Sequence, residues 1–242
     1  MSAKRSVQVA WVLPACALML AGCYTNEVTA FPDGLEPWED NRAERPTPTA
    51  DDPCPETIVF LDTGFEGSRA SHARACIHEP MARVWEAVRD AQTSRDPTTT
   101  HGFRVVEYET EPDYPWTYKT YVFVDHELTD IEFELNWRHS VVEGTEEAPL
   151  VTATRWAKTW GSSAISNMEG SIILQPLDGN EEITEVLYQY HLNSIGSNHG
   201  TIHDYLSVIY GRLRERAHGM ALVPNDCVDC PAAPPGYPGT IE

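Results

Sequence analysis

The sequence predicts an α+β fold in which a curled antiparallel β-sheet of about seven strands grips one long C-terminal helix. Three observations carry this. Ile131, Phe133, Leu135 and Trp137 alternate with Glu132, Glu134 and Asn136, the period-two pattern of a strand with one buried face and one wet face. Ile202, Tyr205, Leu206, Ile209 and Leu213 fall on one stripe of a helix predicted over 201–217. Between that helix and an early one lie only strand-like segments and turns, so the sheet is a meander whose concave face the apolar stripe must cover.

The chain opens with an export signal. Lys4 and Arg5 precede an apolar stretch over 7–21, broken only by Gln8 and Pro14 and ending in Leu20-Ala21-Gly22-Cys23. A membrane-crossing helix needs ~20 apolar residues, more than this stretch offers. Leu-Ala-Gly-Cys resembles the lipobox of bacterial lipoproteins, where small residues admit the peptidase and only Cys offers a thiol for thioether formation. The resemblance implies that residues 1–22 are removed and that acylated Cys23 holds the chain to a lipid bilayer. Tyr24 is not the Asp that steers relatives in enteric bacteria away from the outer membrane, so the expected place is the outer membrane, facing the periplasm. Residues 24–53, rich in Pro, Thr, Asp and Glu and without apolar periodicity, predict a disordered tether. About 30 flexible residues would span about 30 Å.

The folded unit is expected over 54–222, with a Pro-rich tail and a Cys pair over 223–242. Residues 57–61 form a short β-branched run. In 69–78, Ala73, Ala75 and Ile77 share one strand face, and His72, Arg74, Cys76 and His78 share the other. Pro80 suits a first helical turn because the N–H it lacks would have no partner there. Met81, Val84, Trp85 and Val88 continue that helix at spacings of three and four. Strands follow over 103–108, 118–124, 131–137, 150–160, 168–174 and 183–191, with Asp178-Gly179-Asn180 turning between the last two.

Charge excludes one class of partner. Loss of Lys4 and Arg5 with the signal leaves 15 basic against 37 acidic residues, a net −22. Nucleic-acid binding rests on Lys and Arg neutralising phosphates, so none is expected.

Four cysteines remain after the signal and the lipid are accounted for: Cys54, Cys76, Cys227 and Cys230. In an exported chain they suggest two disulfides, with three connectivities open. The local pairing, Cys54 with Cys76 and Cys227 with Cys230, is preferred. Cys227-Val-Asp-Cys230 has no second pair at zinc-site spacing and lies in a Pro-rich tail, not at the head of a helix where a redox pair sits.

The element order, headed by Ala75-Cys76-Ile77-His78-Glu79-Pro80-Met81-Ala82-Arg83-Val84-Trp85-Glu86-Ala87-Val88-Arg89-Asp90, resembles the START-like superfamily (the helix-grip fold of SRPBCC, polyketide cyclase and lipid-transfer proteins). Residues 170–179, Gly-Ser-Ile-Ile-Leu-Gln-Pro-Leu-Asp-Gly, resemble the penultimate strand and hairpin of that group. The resemblance covers about 66–218. It implies a hydrophobic small molecule or lipid as ligand, held between sheet and helix. The anchor and the cysteines depart from cytosolic relatives.

No catalytic constellation stands out, and no metal or cofactor is expected. His199 and His203 lie four residues apart on one helix face, but without the Glu of a zincin motif, and a third ligand would have to come from His191 or Asp204. A solvated first turn is the simpler account. No Ser sits in a nucleophile elbow, Gly161-Ser162-Ser163 suits a strand bend, and Gly64-Phe-Glu-Gly67 precedes no phosphate-binding helix. The candidate ligand-binding residues are Phe133, Trp137, Trp156, Tyr188, Tyr205, Leu206 and Ile209, with Tyr118, Trp160 and Tyr190 as further aromatics and Arg155, His139 and Gln189 as polar contributors. The favoured function is non-catalytic binding of an apolar ligand. An enzyme of cyclase or hydrolase type in the same pocket and a scaffolding domain with a closed core are the alternatives.

Overall fold

Residues 26–107, 113–125 and 130–222 are described by the computed structural model. The signal segment, Cys23 and the tail with Cys227 and Cys230 lie outside the described residues. Among those described, nine strands form one antiparallel sheet: β1 (Asn26–Val28), β2 (Ile58–Phe65), β3 (Ser68–Ile77), β4 (Gly102–Glu107), β5 (Trp116–Val124), β6 (Ile131–Gly144), β7 (Pro149–Ser162), β8 (Ile165–Leu177) and β9 (Asn180–Ser194). The strand order is β2-β3-β9-β8-β7-β6-β5-β4, with β1 added to the free end of β7. The described residues also form two helices, α1 (Met81–Val88) and α2 (His199–Ala217), with a 3₁₀ turn over Ala91–Ser94.

The expected architecture is present, with more strand than foreseen. Alternation sets the faces. Phe133, Leu135 and Trp137 point to the concave side, opposite Val122, Thr120 and Tyr118 of β5. Two hairpins close at residues with positive φ: Glu66-Gly67 joins β2 to β3, and Gly179 joins β8 to β9 as its turn sequence foretold. At β7 the register slips, since Leu135 pairs with Lys158 but Glu134 pairs with Trp160. A one-residue bulge exchanges the faces of the side chains beyond it. Trp160, expected to face the helix, therefore packs with Tyr121 on the convex side. Gly161 sits at this irregularity with φ +121°, and a Cβ there would lie 2.2 Å from the Glu132 carbonyl.

The concave face is covered by α2. Its first turn is closed by a capping box in which the Asn198 side chain accepts from Thr201 N–H and Thr201 accepts from Asn198 N–H. Ile202, Leu206, Ile209 and Leu213 are buried against the sheet, each contributing about 1.5–3 kcal/mol. Helix α1, with Val84, Trp85 and Val88 inward, covers the end of the concave face away from the start of α2. No helix among the described residues is long and apolar enough to cross a membrane.

The convex face holds the main correction. Residues 26–53 are not a free tether but a strap laid across the sheet. β1 pairs Val28 with Trp160, and Thr29 continues through its N–H to the Thr159 carbonyl at 2.9 Å. Arg138 donates to the carbonyls of Pro32 and Gly34, and Arg155 to that of Asp33. Trp38 lies 3.9 Å under the Arg155 guanidinium. The Asn41 amide reaches the carbonyls of both Ala73 and Tyr188. Arg45 joins Arg74 on buried Glu185. The strap ends at a disulfide between Cys54 and Cys76, the local pairing expected.

Candidate functional site

A cavity of about 620 Å³ lies between α2 and the sheet. Its walls are apolar: Phe103 from β4, Val122 from β5, Phe133 and Leu135 from β6, Met168 from β8 and Leu192 from β9. Tyr190 and Tyr205 form its aromatic floor, the near end of a row that continues behind it. Rings run in contact from Trp137 to Trp156 (5.4 Å between centroids), to Tyr190 (4.9 Å) and to Tyr205 (5.3 Å). This row divides the concave face into an open end near the start of α2 and a packed end under α1. Gly170 makes the row possible, because a Cβ there would fall 2.5 Å from the Trp156 ring.

The mouth is polar. Arg95, Asp96, Thr98, Thr99 and Thr100 come from the loop after the 3₁₀ turn, and Thr201, Asp204 and Ser207 from α2. Asp96 orders its own loop by accepting from the Thr98 N–H and from the hydroxyls of Thr98 and Thr99. Tyr205 donates its hydroxyl to the Ser94 carbonyl at 3.1 Å, bracing the loop against the helix. Burial pushes the Tyr190 and Tyr205 phenols above their ordinary pKa, so both stay neutral at the cavity wall.

The candidate residues are therefore divided. Phe133 and Tyr205 line the cavity. Trp137, Tyr188 and Ile209 line a separate void of about 10 Å³ at the packed end, and Leu206 and Trp156 are buried without lining either. These five fill the core. Of the polar contributors, Arg155 and Gln189 face the convex side, where Arg155 meets the strap carbonyl and Gln189 pairs with Ser171 and the Glu39 carbonyl. His139 is on the concave side but at the packed end. Its Nδ1 is paired with Thr154 Oγ1 at 2.8 Å, and burial holds its pKa down to about 3, with Arg89 adding to the effect.

The remaining histidines take structural roles. His72, on the strand face it shares with Arg74, Cys76 and His78, is fully buried beneath the strap. Its Nδ1 accepts from Arg42 N–H, so Nε2 carries the proton and faces Glu39 at 2.9 Å. That protonation is incompatible with metal ligation through Nε2. His191 lies between Glu39 and Glu169, both at 3.4 Å, and stacks on Phe65. His199 and His203 meet neither His191 nor Asp204 but Asp62, at 3.2 and 2.7 Å. Among the described residues no group of three or more His, Cys, Asp or Glu is arranged to hold a metal ion.

No protein-family model and no curated protein sequence matches this chain. Solved structures similar to it include the human StarD13 lipid transfer and protein localization domain (8% identity, 74% of this chain and 89% of that one, TM-score 0.48). The Zhui aromatase/cyclase from Streptomyces sp. R1128 is another (15% identity, 64% and 99% covered, TM-score 0.39). A START superfamily protein from Mycobacterium smegmatis is a third (11% identity, 62% and 97% covered, TM-score 0.42). The strand order β2-β3-β9-β8-β7-β6-β5-β4, with α2 laid across the concave face, is that of a helix-grip fold.

Proposed function

We propose that this chain is a non-catalytic, lipid-anchored domain of the bacterial cell envelope that holds a hydrophobic small molecule or lipid between its sheet and α2. The observation that carries this is the cavity of about 620 Å³ with apolar walls and a polar mouth, inside the ~300–1,000 Å³ typical of ligand sites. Protein interiors are otherwise packed nearly as densely as organic crystals. A gap of this size leaves its wall atoms without partners, and an apolar ligand supplies them. The neutral phenols of Tyr190 and Tyr205 at the floor suit an uncharged body, while the hydroxyls and carboxylates of the mouth suit its polar end. His139, buried on the concave face, lies behind the aromatic row and away from the cavity, which supports binding over cyclase or hydrolase chemistry. The anchor rests on Leu20-Ala21-Gly22-Cys23, and the outer membrane facing the periplasm is the place proposed for it.

Native mass spectrometry of the protein purified from its own host tests the binding. An apolar molecule of a few hundred daltons retained on the folded protein is expected. A mass equal to the acylated polypeptide, together with no uptake of an apolar fluorescent probe, contradicts it. Metabolic labelling with a fatty-acid analogue tests the anchor: wild type takes up label and Cys23→Ala does not, and equal incorporation sinks that part.

A further inference from the structure

We infer that the bilayer holding Cys23 is also the surface onto which the cavity opens. This rests on the anchored, ligand-binding reading above and adds an orientation to it. The cavity opens among the ends of strands on one rim: Val124 closes β5, Ile165 opens β8 and Ser194 closes β9, beside the first turns of α2. The chain enters at the same rim. Asn26 pairs with Ser162, the last residue of β7, and the strand then runs inward to Val28 opposite Trp160. Thr29 fixes it further, through its N–H to the Thr159 carbonyl and its hydroxyl to the Lys158 carbonyl. Cys23 is three residues before Asn26. Three residues reach at most about 11 Å when fully extended, so the acylated end lies within about 11 Å of this rim whatever path they take. A free tether over 24–53 would have allowed any orientation, and the strap removes that freedom.

The two most exposed large apolar side chains among the described residues are here, Ile195 at the rim (70%) and Val28 two residues inside it (79%). Ile195 is tied to the β7–β8 hairpin by its N–H to the Ala164 carbonyl at 3.0 Å, next to Ile165 in the cavity wall. Glu27, Asp125 and Asp204 are exposed on the same rim, so anionic head groups are not attracted there. The partner that fits is a neutral or zwitterionic lipid surface, met by the apolar tips and held by the acyl chains. Val142 and Leu150 are exposed at the opposite end, 60% and 54%. The eleven-residue step from Ile131 to Val142 puts that end about 35 Å away along β6.

The test uses the full-length acylated protein in vesicles of zwitterionic phospholipid that carry a head-group quencher, with a fluorescent amino acid in place of Ile195 or of Val142. Both positions are exposed, so neither replacement disturbs the core. Loss of fluorescence at 195 and none at 142 is expected. Equal loss at both, or loss at 142 alone, overturns the orientation while uptake of an apolar probe by the same sample leaves the binding reading intact. Absence of the acyl mass on Cys23 overturns the inference at its premise. An acylated sample that takes up no apolar probe removes the binding reading and the inference together.

Discussion

The two faces of this sheet are both covered, by opposite means. On the concave face, α2 meets the strands through Ile202, Leu206, Ile209 and Leu213, and the cover holds while leaving about 620 Å³ unfilled. On the convex face, the strap is held by hydrogen bonds and ion pairs aimed at single residues: Glu39 on His72 and His191, Asn41 on two strand carbonyls, Arg45 on Glu185. Hydrophobic attraction is non-directional and tolerates a gap. Buried polar groups do not, because each one left without a partner costs about 1–3 kcal/mol. A face that has to accommodate a ligand is served by the first kind of cover, and a face that has to fix the chain's entry point by the second.

Releasing the strap should have the largest effect. Cys54→Ser opens a disulfide of sequence separation 22, worth about 3 kcal/mol in the chain-entropy model. Denaturant midpoints under oxidising conditions should fall accordingly, and an unchanged midpoint would mean that the strap contributes nothing to the fold. Glu39→Ala removes the carboxylate that His72 and His191 face at 2.9 and 3.4 Å and should cost about 2 kcal/mol. Cleavage of residues 26–53 by a protease should quicken in this variant while uptake of an apolar probe is kept. Loss of uptake would show that the two covers are not independent.

Acid should separate the faces by pH. His139 has a folded-state pKa of about 3, below its unfolded value of about 6.5. The fold therefore prefers the neutral ring, and this contribution is complete above about 6.5 and declines as pH falls toward 3. At pH 5 the loss is about 2 kcal/mol. The convex carboxylates respond later. Burial works to raise Glu39, Glu169 and Glu185, but bonds from His72, His191 and Arg74 respectively outweigh it, bringing Glu185 to about 2. Their contribution persists down to about pH 4.5 and is lost below it. His139→Phe should flatten stability between pH 6.5 and 5 and leave the lower limb in place. An unflattened upper limb would locate that proton uptake elsewhere.

The same contrast explains what was legible in the sequence. Strand alternation and the α2 stripe are periodic, so the concave cover could be read from spacing alone, and Phe133 and Tyr205 came with it. The strap has no period. Its carbonyls of Pro32, Asp33 and Gly34, which any residue carries, accept bonds from the sheet, and its other contacts come from isolated side chains among prolines and carboxylates, so its sequence reads as disordered. Its receptors Arg155, Gln189 and His72 alternate correctly for a wet face, and nothing in their spacing shows that the water is displaced. Trp160 was lost to a bulge, where one inserted residue reverses the alternation. Arg95 and Thr98–Thr100 lie on a loop, and they line the mouth through a turn that Asp96 makes with its own neighbours. Trp137, Trp156, Tyr188, Leu206 and Ile209 lie in the core between sheet and helices, but spacing does not tell which part of a face is full.

That last distinction is the central claim, and a pair of enlarged side chains tests it. Ile209 borders only the 10 Å³ void, whereas Leu192 borders the large cavity. Ile209→Phe should overfill a packed core and cost about 1–3 kcal/mol, with uptake of an apolar fluorescent probe retained by the protein that remains folded. Leu192→Trp should cost less than about 1 kcal/mol because its ring enters empty space, yet abolish uptake. The decisive measurement is probe titration of folded Leu192→Trp beside wild type. Saturable uptake by wild type and none by the variant is the result this account predicts, and uptake by neither, or equally by both, would contradict it.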